Sequence, residues 1–150
     1  MAATFEVETG SASATANSLL SIADADQYND NHNTDAVWDA AVQADQEKAL
    51  RLATQYVVAK YNGRWIGWLK TDTQALPWPR YGVYVDGQCR SDSTVPPEVK
   101  DAVAELAIRS INGEELIPDL SAGSGSVVGT RVKIGPLEFE DDYSSTVTQY

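Results

Sequence analysis

Pro77 and Pro79 stand on either side of Trp78, within a run from Thr71 to Arg90 that contains no helical pattern. Each proline lacks a backbone N–H and fixes its own φ. Each also pushes the residue before it, Leu76 and Trp78, into extended geometry. No helix can pass through, so Leu76 to Arg80 is expected as a stiff, extended rod carrying one large indole. Val83 to Arg90 then reads as a small hairpin, because Asp86-Gly87 suits a two-residue type I′ turn. A long loop inside a compact domain is usually functional or partnered. This one is rich in Trp and Tyr, residues that favour interfaces.

Helical patterns flank the loop. Ser21 as N-cap with Asp24 three positions on approximates a capping box, opening a helix that Asn29 to Thr34 ends. Asp35 can cap a short helix holding Val37, Trp38 and Ala41. Asp45 is expected to cap a longer one, Gln46 to Tyr61, with Leu50, Ala53, Tyr56 and Val57 at helical spacing. After the loop, Pro96-Pro97 opens a further helix with Val99, Val103, Leu106, Ala107 and Ile111 on one stripe, stopped at Asn112-Gly113. Trp78, Tyr56 and Leu106 are the expected core anchors. The fold class is mainly α: a small three- to four-helix bundle with an inserted loop and β-hairpin, and a C-terminal β-like extended arm. The expected divisions are an extended N-terminal segment (1–20, with Thr9 to Asn17 as a flexible linker), a helical core (21–113) with its inserted loop (62–95), a linker (114–126) and an arm (127–150). In the arm, Val127 to Ile134 and Leu137 to Glu140 are strand-like. They are too short to form a stable sheet alone, so the arm is expected to order on a partner; the alternative is a two-stranded flap.

Charge is unevenly spread. The net charge is −11, and residues 1–47 hold nine acids and no Lys or Arg. Such a chain repels nucleic acid over most of its surface. No apolar run reaches the roughly 18 residues of a membrane span, and the N-terminus lacks the basic and apolar regions of a signal peptide. With Cys89 the only cysteine, no intramolecular disulfide can form.

Signals for catalysis are weak. His32 and Cys89 are far apart in sequence and read as a surface histidine and an incidental thiol. No GxSxG, HExxH or Walker pattern occurs, and the Gly123–Gly129 run fails GxGxxG at its third glycine. Asp24 to Asp35 is acid-rich, but an EF-hand loop aligned there lacks the glycine at Asn29 and the glutamate at Asp35. The expectation is a protein with no catalytic residues, no metal and no cofactor. The main binding signal is Lys60 to Arg80, where Lys60, Arg64, Lys70 and Arg80 interleave with Tyr61, Trp65, Trp68 and Trp78. Basic grooves with stacking aromatics suit single-stranded DNA. The competing reading packs these rings on the domain or on a neighbouring subunit, with Lys and Arg stems covering them.

Three separated motifs are similar to those of a family of tailed-bacteriophage head–tail adaptor proteins. They are Phe5-Glu-Val-Glu-Thr-Gly with Ser21-Ile-Ala-Asp-Ala-Asp-Gln-Tyr28, then Thr73-Gln-Ala-Leu-Pro-Trp-Pro-Arg80, then Val95-Pro-Pro-Glu-Val-Lys-Asp-Ala-Val-Ala-Glu-Leu-Ala107. Leu19-Leu20 departs from the pattern, which runs into a Tyr there. The resemblance implies a structural virion protein, a homo-oligomeric ring typically of twelve copies beneath the portal, made in the host cytoplasm and resident at the head–tail interface. It implies portal and tail or nozzle proteins as partners, with genomic DNA passing through the channel without specific binding, and no membrane. Under it, Val128, Val132, Ile134, Leu137 and Phe139 are the candidate portal-binding arm, and Trp65, Trp68 and Tyr84 the subunit or tail interface. Part of the same family carries the label DnaT-like single-stranded DNA-binding protein, so the alternative function is a replication accessory protein that binds single-stranded DNA.

Overall fold

The computed structural model describes residues 4–32, 36–116, 129–134 and 137–142. The chain divides into two units, Met1–Ile117 and Pro118–Tyr150. The architecture is mainly helical, with small two-stranded hairpins.

The first unit holds four helices: α1 (Ile22–His32), α2 (Ala36–Ala40), α3 (Gln43–Lys60) and α4 (Pro97–Ile111). α3 buries Ala49, Leu50, Ala53, Thr54 and Val57, and α4 buries Val103, Ala104, Ala107 and Ile108. Both sets recur at three- and four-residue steps, which places each on one helix face. The alanines let the two backbones approach closely, so this pair forms the middle of the core. Leu19, Leu20, Ala25, Trp38, Trp78, Val83 and Val95 close around it. Tyr56 and Leu106, expected as anchors, are only partly buried at its rim. Trp38 is the larger anchor, fully buried with its Nε1 donating to Asp26 at 2.8 Å.

The helix starts follow their caps in part. Ser21 Oγ accepts from the Asp24 N–H at 3.1 Å, as the capping pattern requires. α1 runs on through Asn29, which is buried and donates to Asp39 at 3.0 Å, so the helix ends later than the asparagines suggest. α3 begins at Gln43 after an extended Val42 with no side-chain cap, so Asp45 lies in its first turn and does not cap it. There the carboxylate still faces the positive end of the helix dipole. Asp35 lies outside the described residues. Pro97 opens α4 as expected.

The N-terminal segment is the main departure from expectation. Its small polar composition reads as linker, yet a buried carboxylate gathers it into a clasp. Glu8 is 1% exposed. One of its oxygens accepts from the backbone N–H of Gly10 (2.7 Å) and Ala12 (3.1 Å), and the other from that of Ser13 (2.8 Å). Three donors on one carboxylate offset its desolvation. The clasp is also pinned to the central loop: Lys70 Nζ donates to the Gly10 carbonyl at 3.2 Å, and the Ala75 N–H donates to that of Ser13 at 2.9 Å. Gly10 has φ +105°, and a Cβ there would stand 1.8 Å from the Ser93 carbonyl oxygen, so only glycine fits between the two segments.

The central loop contains β1 (Trp68–Leu69) paired antiparallel with β2 (Arg80–Tyr81), and β3 (Tyr84–Val85) paired with β4 (Gln88–Cys89). Asp86 (φ 51°) and Gly87 (φ 75°) form the expected turn between the last two. Trp78 is 4% exposed, so the indole between the prolines is the loop's anchor; the Trp78–Pro79 bond is cis.

In the second unit, β5 (Gly129–Ile134) and β6 (Leu137–Asp142) pair antiparallel with each other. The two strand-like pieces thus form a hairpin. Its register sets Val132 opposite Phe139 and Ile134 opposite Leu137, alternating with Arg131 opposite Glu140 and Lys133 opposite Glu138. Val128 and residues 117–126 of the expected linker lie outside the described residues.

Two substitutions test this account. Trp78→Ala should destabilise the first unit by about 3–5 kcal/mol, as other large core truncations do. Glu8→Gln keeps the shape but sets an amide donor against backbone donors, and should cost about 1–3 kcal/mol. Both are read as a lowered urea midpoint at constant slope. A Glu8→Gln protein with the wild-type midpoint would show that the clasp does not contribute to stability.

Candidate binding surface on the central loop

Arg80 holds the loop's outer part together. Its guanidinium donates to three backbone carbonyls: Ile66 (2.8 Å, from Nε), Gly67 (2.7 Å) and Pro77 (3.3 Å). These lie on both sides of the β1–β2 ladder, so one planar fork ties the strand before the prolines to the turn containing them. Burial lowers the pKa of Arg80 from its ordinary value. Gln74 completes the brace, donating to the carbonyls of Leu76 (2.7 Å) and Pro79 (3.1 Å).

On this support the aromatic residues separate into two groups. Trp65 is half-buried and meets Trp78 edge to face, with centroids 5.9 Å apart at 88°. Trp68 faces outward, 64% exposed, and stacks on Tyr81 with centroids 5.7 Å apart at 26°. The register explains the pair, since Trp68 is directly opposite Tyr81. A Cβ at Gly82 would come within 2.8 Å of the indole, so the missing side chain lets the ring lie flat. Tyr84 (62% exposed), Ile66, Leu69 and Val85 are exposed on the same loop. The Trp68–Tyr81 stack is an aromatic ledge bordering an open groove of about 570 Å³ lined also by Leu69, Lys70, Asp72 and Arg80.

Trp68 and Tyr84 are thus exposed, whereas Trp65 belongs largely to the packing around Trp78. Sequence reasoning missed Tyr81, Ile66 and Leu69. Tyr81 could have been found from its place two residues after Pro79, where a strand resumes. Of the two readings of the Lys60–Arg80 cations, phosphate contact and packing, Arg80 follows the second, its donors serving the fold.

The other cations are similarly engaged. Lys60 donates to the Tyr56 hydroxyl at 2.9 Å, and this hydrogen bond raises its pKa. Arg51 lies over the Phe5 ring, and Arg90, Lys100 and Arg109 pair with Glu98, Asp24 and Glu105. Lys70 is bonded to the clasp. In the first unit this leaves Arg64 and Lys48, both exposed, with no polar or ring partner among the described residues. His32 stacks on Tyr28 at 4.4 Å, and Cys89 is exposed on β4. Among the described residues no group of three or more His, Cys, Asp or Glu is placed to hold a metal ion. No helix among them is long and apolar enough to cross a membrane.

The candidate surface is thus an exposed aromatic stack on a loop braced by Arg80, carried by a small helical scaffold. The chain belongs to the family described as "Putative DnaT-like ssDNA binding protein", which matches residues 3–149. Of the two labels that the sequence motifs bring with them, this match carries the DNA-binding one; it names no virion component. No curated protein matches the chain, and no solved structure does.

Replacing Arg80 tests the brace. Arg80→Lys keeps the charge but cannot reach three carbonyls at once. It should lose nearly as much stability as Arg80→Ala, about 1.5–3 kcal/mol. Wild-type stability of Arg80→Lys in a thermal melt would show that charge alone suffices.

Proposed function

We propose that the protein binds single-stranded DNA through the ledge, by base stacking more than by charge. The observation that carries this reading is the outward Trp68–Tyr81 stack, with Tyr84 exposed on the same loop, in a chain whose family is described as DNA-binding. Every base has a π-face, so a fixed aromatic platform accepts a strand whatever its sequence. Because most cations of the first unit are engaged, the electrostatic share is small, and Arg64 and Lys48 are the basic residues of that unit whose side chains have no partner among the described residues. No catalytic step belongs to this reading.

A second reading is favoured by that same use of cations and by the net charge of −11. In it the ledge meets protein, and the chain is a head-to-tail adaptor subunit that extends a DNA channel. The motifs around Phe5, Pro77 and Val95 support it; the family description supports the first reading more directly. Trp68 and Tyr84, with Trp65 behind them, then form the contact to the next subunit or tail component. The β5–β6 hairpin, with Val132, Ile134, Leu137 and Phe139 in apolar register pairs, is the element for the portal.

Titration of tryptophan fluorescence with a thymine oligonucleotide separates the two. Stacking binding predicts a dissociation constant in the micromolar range and a log–log salt slope no steeper than about −1.4, from two phosphates at about 0.7 each. Trp68→Ala should weaken it by about 1–3 kcal/mol. No binding at low salt, together with a ring-sized particle by native mass measurement, establishes the second reading instead.

A further inference from the structure

We infer that the outer face of α3 is the contact for a second copy of this chain, the two α3 helices lying antiparallel about a two-fold axis. The contact uses none of the ledge residues, so it is independent of both readings above. α3 carries two stripes. One, with Leu50, Ala53 and Val57, is buried in the core. On the other, Lys48, Leu52, Gln55 and Ala59 follow at steps of four, three and four, the spacing of one helix face, and all four are exposed. Two hollows lie along this second stripe, one of about 530 Å³ toward α2 and one of about 450 Å³ toward the end of α4. Leu52, 42% exposed, and Ser110 line both, which makes them one continuous trough. Val37 and Ile111 add apolar surface to the first hollow, and Tyr56 and Leu116 to the second. A continuous apolar surface of this kind marks an interaction site.

The charges along the trough select the occupant. Lys48 lines the first hollow and has no partner among the described residues. Glu114 and Glu115 line the second and make no ion pair among them. A partner of a single sign is repelled at one end of such a trough. The same trough reversed is attracted at both ends, which is the condition for an isologous contact, where residue i meets j and j meets i. The spacing along α3 allows it. With the axis midway between Leu52 and Gln55, Lys48 of one copy is level with Ala59 of the other, about 16 Å along the helix at 1.5 Å per residue. Ala59 lines the hollow that holds Glu114 and Glu115, so each Lys48 meets two carboxylates. Asp45, the other charge of the first hollow, falls level with Asn62, past the end of the opposing α3, and so meets no acid of that helix. Leu52 lies beside the axis and crosses to the α3 of the second copy. This contact closes on itself at two copies, unlike a ring, which needs a heterologous one.

The test is sedimentation velocity of the full chain, without DNA, from micromolar to submillimolar protein at physiological salt. One helix face is a small contact among specific interfaces, so the wild type should be a reversible dimer with a dissociation constant in the micromolar range. Leu52→Glu should raise that constant by about 10-fold or more, as the loss of a central apolar contact does. Lys48→Glu should be monomeric where the wild type is dimeric, and so should the double variant Glu114→Lys, Glu115→Lys. Mixed in equal amounts, these two charge variants should recover the dimer, because each reversed charge then meets its opposite at both ends. All four positions are exposed, so helicity by circular dichroism should match the wild type in every variant. If Leu52→Glu loses helicity, the mixing experiment decides alone. A wild type that stays monomeric throughout overturns the inference, as does one found only in assemblies larger than a dimer. A dimer unchanged in a folded Leu52→Glu protein places the contact elsewhere and overturns it too, as do charge variants that fail to recover on mixing.

Discussion

The burial of Trp78 is the contact on which the rest of the loop depends. Between α3 and α4 the chain makes only two-residue strands, which contribute little cooperative hydrogen bonding. Something else must offset the entropy of ordering that many residues. An indole buries about 150–250 Å², worth roughly 4–6 kcal/mol at about 25 cal/mol/Å². Part is given back, since Trp78 Nε1 has no hydrogen-bond partner among the described residues. A few kcal/mol remain to hold the loop at one point. Two further fixings prevent rotation about it: the Arg80 fork on the outer side, and the Lys70 and Ala75 bonds to the clasp on the inner side. With three attachments, a loop of little regular structure carries an exposed stack in fixed geometry.

That arrangement also explains how the cations are used. A guanidinium bonded to three carbonyls, or an ammonium bonded to a clasp carbonyl, is a structural donor first. The pairs at Arg90–Glu98, Lys100–Asp24 and Arg109–Glu105 have solvent-exposed side chains, so each contributes little to stability. They nevertheless lower the number of charges that can face a polyanion. Some acids also serve as acceptors: the exposed Asp26 accepts from Trp38, the exposed Asp39 from Asn29, and the buried Glu8 from three backbone N–H groups. Several of the nine acids in residues 1–47 therefore serve the fold as acceptors while keeping their charge.

Local signals were legible in the sequence, and non-local ones were not. The proline opening of α4, the Ser21 cap, the Asp86-Gly87 turn and the anchoring of Trp78 each depend on residues within a few positions of one another. The clasp depends on a carboxylate gathering backbone N–H groups over a run of small polar residues, and composition cannot distinguish that run from a linker. Trp65 and Trp68 look equivalent three residues apart. Only the pairing of β1 with β2 sends one to Trp78 and the other to solvent. Arg80 shows the same limit at the site: basic residues among aromatics suggest phosphate contact, but the carbonyls that occupy this one come from Ile66, Gly67 and Pro77. Tyr56 and Leu106 fit helical stripes well and still end at the rim, because a stripe is wider than the contact it makes.

Stacking and repulsion act over different distances, so an acidic net charge is compatible with the stacking reading proposed above. A stacked base gains about 1–3 kcal/mol at contact. Repulsion from exposed acids is screened beyond about 8–10 Å at physiological ionic strength. Near the ledge the groove is lined by one acid, Asp72, against Lys70 and Arg80. A strand seated there is repelled by few unscreened charges and held by rings that salt does not weaken. Added salt then removes a small phosphate attraction and a longer-ranged repulsion together, and the two partly cancel. A charge-driven site lacks that cancellation, because salt acts on its dominant attraction. On the stacking reading proposed above, the weak salt response expected of the site follows from the structural use of Arg80 and Lys70, and so from the same contacts that fix the loop.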